Sequence, residues 1–117
     1  MQTFVVLLVA GFHVCFMILE VFFWTKPIGL KIFGQSLEKA KLSAVLAANQ
    51  GLYNGFLAAG LAWGAFAEDP QMASQIQIFF LSCVALAGIY GAWTVSRKIL
   101  FVQALPAILG LGLIFFS

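Results

Sequence analysis

The placement of charge along this chain limits its fold more than any other feature. Of its ten Asp, Glu, Lys and Arg residues, nine lie between long apolar runs and one, Glu20, lies within a run. The runs are Thr3 to Trp24, Leu42 to Ala67, about Ala73 to Val95, and Ile99 to Phe116. A helix needs about 20 apolar residues to cross the hydrocarbon core of a bilayer. Backbone in lipid must satisfy its hydrogen bonds internally, so spanning segments of this length are expected to be helices. The expected fold is therefore an all-α integral membrane protein: one domain over residues 1–117 forming a four-transmembrane-helix bundle. Composition agrees, because only 9% of the chain is charged, against roughly a quarter in soluble domains. The N-terminal run lacks a basic leader and a small-residue cleavage site, so it is expected to remain as a helix rather than be removed as a signal peptide.

Basic residues orient the spans. Lys26, Lys31, Lys39 and Lys41 stand against one Glu38 in the first connection, residues 25–41, and Arg97 and Lys98 occupy the third. The second connection holds Glu68 and Asp69 and no base. By the positive-inside rule, connections one and three are cytoplasmic, and both termini lie outside. Asp69-Pro70 reads as an N-cap followed by proline at the first helical position. Ser36 is a second N-cap, for a helix running on into span two. A turn is required near Ser96-Arg97-Lys98, and Pro106 is expected to kink the fourth helix. Trp24-Thr25 and Trp93-Thr94 end spans one and three in the same way, a faint parallel echo that interfacial tryptophan also explains.

Polar side chains inside the spans are the functional candidates, since ionisable groups there are costly and usually face the protein interior. Span one carries His13 and Glu20 on one stripe, with Met17 between them. Span two carries Asn49, Gln50, Tyr53 and Asn54, of which the last three share a face. Span three carries Tyr90 and Thr94, and span four Gln103. At about 1.5 Å of rise per residue, Glu20, Gln50, Tyr90 and Gln103 all fall in the cytoplasmic half. All four spans thus place polar groups in one layer, which points to a polar cavity there. The alternative is that Asn, Gln, Thr and Tyr are interhelical glue, that Glu20 reaches water beside Trp24 or pairs with Lys26, and that His13 is a hydrogen-bonded core residue. The spacings Gly51–Gly55 and Gly60–Gly64 permit close helix packing, within one chain or between two. The segment from Lys26 to Gly34 mixes bases with Ile and Phe. It reads either as an ordinary loop or as an interfacial segment in which Lys26 and Lys31, with Arg97 and Lys98 on the third connection, contact lipid headgroups.

Three stretches carry a family resemblance: Phe23-Trp24-Thr25-Lys26-Pro27 with Phe33-Gly34; Ala47-Ala48-Asn49-Gln50-Gly51-Leu52-Tyr53-Asn54-Gly55-Phe56; and Tyr90-Gly91, Ser96-Arg97 and Val102-Gln103-Ala104-Leu105-Pro106-Ala107. Together they resemble the bacterial and fungal family catalogued as domain of unknown function 1304, nearly end to end. The resemblance implies a small four-helix protein of the bacterial inner membrane. It brings no activity, substrate or cofactor.

Several functions fit these residues. In the first, the polar layer is a pocket that binds, or isomerises, a small lipophilic molecule. Glu20 and His13 would be the catalytic, proton-handling residues; Asn49, Gln50, Tyr53, Asn54, Tyr90, Thr94 and Gln103 would orient the ligand. The helical separation of roughly 10 Å between His13 and Glu20 keeps them from touching one atom directly. The second function is proton-coupled transport by a homo-oligomer, and the third a structural or accessory role. His13 is a lone candidate axial ligand for haem. One His and two separated cysteines, Cys15 and Cys83, make no recognisable metal site, and a net charge of +2 does not suggest nucleic acid.

Overall fold

The computed structural model describes residues 1–116, and among them every regular element is helical. The helices are α1 (Gln2–Phe22), α2 (Pro27–Phe33), α3 (Leu37–Phe66), α4 (Pro70–Thr94) and α5 (Leu105–Phe116), the last preceded by a π-helical turn over Leu100–Ala104. α1 and α4 are long and apolar enough to cross a membrane, and the segment Leu100–Phe116 is a shorter apolar helix. α3 is the longest helix, but Asn49, Gln50, Tyr53 and Asn54 interrupt its apolar character.

Local chemistry explains the boundaries. Ser36 Oγ accepts the Lys39 amide at 3.2 Å, capping the start of α3. Asp69 Oδ2 accepts the Met72 amide at 3.0 Å and Pro70 opens α4, where its missing N–H costs nothing. α4 stops at Thr94, and the chain reverses through residues 95–97. Pro106 has no N–H to return to the preceding turn. The helix reaches it through the π-turn, where the Leu105 amide bonds back to the Leu100 carbonyl.

The chain forms two compact units. In the first, made of Met1–Phe12 and the chain from Leu57 onward, four helices share a core. α1 contributes Val5, Val6, Val9 and Ala10; α3 Ala58 and Leu61; α4 Leu81, Val84 and Ala85; and α5 Ala107. Gly60 and Gly64 of α3 pack against Phe80, Ile76 and Gln77 of α4. The second spacing of glycines therefore packs within the chain.

The second unit is His13–Phe56. Here α2 crosses the end of α1 so closely that a Cβ on Gly29 would strike the carbonyl groups of Phe23 and Trp24. Gly34 then ends α2 in the left-handed conformation, φ 63°, which favours glycine. Trp24 fastens the unit: its ring lies 4.9 Å from that of Phe33, and its Nε1 donates to Ser43 Oγ at 3.2 Å. Ser43 Oγ in turn donates to the Lys39 carbonyl at 2.9 Å.

Candidate functional site

Small residues line the buried face of α3. Ala40, Ala47, Gly51, Asn54, Ala58 and Leu61 are buried at spacings of seven, four and three, like a coiled-coil seam, and Gly60 and Gly64 are buried beside them. Asn54 is the polar member of that seam. The glycines beside it let α1 approach. A Cβ on Gly51 would stand 2.7 Å from Val21 Cγ2 and 3.1 Å from Glu20 Cβ, and one on Gly55 would stand 2.7 Å from Met17 Sδ. This close packing puts Glu20 opposite Asn54, and Asn54 Nδ2 donates a hydrogen bond to Glu20 Oε1. Asn54 is buried and Glu20 half-buried. The site thus joins a carboxylate able to exchange a proton or hold a cation to an amide that fixes its direction.

The other sequence candidates fall into distinct settings. His13 is fully buried, with its ring edge-on to Phe16 at 5.4 Å. It lies on the same α1 face as Glu20, two turns away. Haem ligation there would require the packing around the imidazole to open. Asn49 is exposed, and its amide donates to the Val45 carbonyl of its own helix at 2.9 Å. Gln50 is exposed, as is Tyr53, whose ring neighbours Phe56 at 6.1 Å. Tyr90 and Thr94 are exposed on α4, where Thr94 Oγ1 donates to the Tyr90 carbonyl at 2.8 Å. Gln103 is half-buried within the π-turn. Lys26, Lys31, Arg97 and Lys98 are exposed. Among the described residues no three His, Cys, Asp or Glu side chains gather as a metal ion would need.

Sequence reading passed over Gln77. It is 3% exposed, and its side chain ties three helices together. Its Nε2 donates to the Gly64 carbonyl of α3 at 2.8 Å, and its Oε1 accepts from Gln2 Nε2 of α1 at 2.9 Å. The available signal was a lone amide in the apolar stretch Ile76 to Leu81, in a chain that also offers a small-residue surface at Gly60–Gly64.

The fold and the pair at its polar seam thus define a small, all-helical protein rich in exposed apolar surface. Residues 7–115 match the family described as protein of unknown function, DUF1304, and the chain belongs to that family. It is similar to an uncharacterized protein, YpaA, of Lactococcus lactis subsp. lactis (strain IL1403), being 34% identical over 112 residues that cover 94% of this chain and 92% of the relative. No solved structure matches.

Proposed function

We propose that this is a four-span protein of the bacterial inner membrane, with both termini outside. In it, Glu20 held by Asn54 forms the proton-handling centre of a pocket in the cytoplasmic half, which takes a small lipophilic molecule. The membrane part of this reading is supported by what the helices turn outward. Phe22, Leu42, Val45, Phe66, Phe79, Trp93 and Phe116 are all exposed, a surface that water penalises and lipid accepts. The functional part rests on one observation, the hydrogen bond from the buried Asn54 of α3 to the Glu20 carboxylate of α1. A carboxylic acid in such a setting is expensive to keep and chemically useful as a general acid or base.

The test is native mass spectrometry of gently solubilised protein, wild type beside Glu20→Gln. The substitution keeps the shape of the side chain and a hydrogen-bond acceptor for Asn54 while removing the acid. A reproducible extra mass on wild type that Glu20→Gln loses supports the pocket, identifies the ligand's chemistry and reports the oligomeric state. The same bare protein in both samples rejects it.

The buried Gln77 favours a second reading, because there a buried amide joins helices and does nothing else. On that reading Glu20 and Asn54 are also an interhelical tie, and Glu20→Gln changes stability with no change in bound mass.

A further inference from the structure

We propose that α2 is a fixed interfacial foot that binds the phosphate of an anionic phospholipid in the cytoplasmic leaflet through Lys26 and Lys31. The helix is two-sided. Gly29 is buried against the end of α1, Leu30 and Phe33 are half-buried, and the Phe33 ring packs at a tilt against that of Trp24. Ile28, Lys31 and Ile32, at positions i, i+3 and i+4, form the opposite, exposed side, with the isoleucines 54% and 53% exposed. Lys26, just before the helix, is exposed as well. A free loop bearing Ile and Lys could turn its isoleucines inward. Here the contact at Gly29, the Trp24–Phe33 ring contact and the Trp24–Ser43 hydrogen bond hold them outward.

An exposed apolar pair flanked by ammonium groups suits one environment, the boundary between acyl chains and headgroups. Isoleucine side chains enter the acyl layer while lysines remain level with the phosphates. The charge is uncompensated locally: no acidic residue lies between Glu20 and Glu38, and Lys39 and Lys41 follow on the first turns of α3. The complementary ligand is therefore a lipid with net negative charge, and a zwitterionic lipid lacks the matching field. The inference rests on the membrane reading above, and a protein that stays monodisperse without detergent would defeat that reading before any lipid is added.

The experiment titrates the purified protein in mild detergent with phosphatidylglycerol or phosphatidylcholine and counts retained lipid by native mass spectrometry. Wild type should retain phosphatidylglycerol in preference to phosphatidylcholine. Lys26→Gln/Lys31→Gln should lose roughly 10- to 30-fold in phosphatidylglycerol affinity, from the expected contribution of two interfacial lysines. Lys26→Arg/Lys31→Arg, which keeps the charge, should retain it, showing that the loss is not misfolding. Equal retention of the two lipids by wild type, or equal phosphatidylglycerol retention by wild type and the Gln variant, overturns the proposal. So does displacement of the lipid by inorganic phosphate at matched concentration, which would make the site one for a free anion.

Discussion

Two amides, Asn54 and Gln77, are buried within apolar helices, and the chain uses them differently. Gln77 meets a backbone carbonyl and another amide, partners with no net charge. Asn54 meets a carboxylate. Gln77→Leu keeps much of the volume but removes both ties, and should lower stability by roughly 0.5–1.5 kcal/mol per hydrogen bond, read from thermal unfolding in detergent. The Glu20–Asn54 pair calls for a double-mutant cycle with Glu20→Gln and Asn54→Ala. Side-chain ties between membrane helices have measured couplings near 0.6 and up to about 1.7 kcal/mol. A coupling in that range, with unchanged bound mass, fits an interhelical tie. Loss of a bound mass in Glu20→Gln at nearly wild-type stability fits the pocket.

Glycines decide how closely the helices approach. Gly51 has three atoms of α1 within 3.2 Å of where a Cβ would stand, whereas Gly11 and Gly112 have nothing within 4 Å. Gly51→Val should therefore cost about 1–3 kcal/mol through overpacking and pull Glu20 away from Asn54. Gly11→Ala should be neutral or stabilise the protein by roughly 0.5–1 kcal/mol, since alanine is the better helix former. Thermal unfolding of the two variants side by side checks both signs. At Gly29 the neighbours are backbone carbonyls rather than flexible side chains, so they cannot yield. Gly29→Ala should release α2, and the emission of Trp24 should shift in a background where Trp63 and Trp93 are replaced by Phe.

Four crossings with both ends outside is a claim about every connection at once, and labelling reads each of them. With Cys15 and Cys83 replaced by Ala, single cysteines at Lys31, Glu68 and Arg97 report the three connections in turn. A membrane-impermeant maleimide should label the Glu68→Cys variant on intact spheroplasts. Lys31→Cys and Arg97→Cys should label only after permeabilisation. The reverse pattern would invert the protein. Labelling of all three from outside would remove the four-span topology, and with it the cytoplasmic placement of Glu20 and α2.

The helical class and the caps at Ser36 and Asp69 were legible in the chain because each is a local matter, whereas the reversal after Thr94 carries little local signal and followed only from the length of the apolar run. Hydropathy acts over one helix length, and a cap involves residues three apart. At Pro106 the chain suggested a kink, and what precedes the proline is a π-turn over Leu100–Ala104, which nothing in the chain foretold. The polar candidates were only half legible. Residues sharing a face can be found from spacing, yet which face meets a neighbour depends on how helices far apart in sequence pair. That pairing buried Asn54 and left Tyr53, one position away, exposed. It also turned both glycine spacings inward to neighbours in the same chain, and gave Gln77 two partners 13 and 75 residues distant. Local composition thus told which groups would be costly to bury. Only the tertiary structure could choose their partners, because a hydrogen bond between helices exists only where close packing brings two side chains within reach.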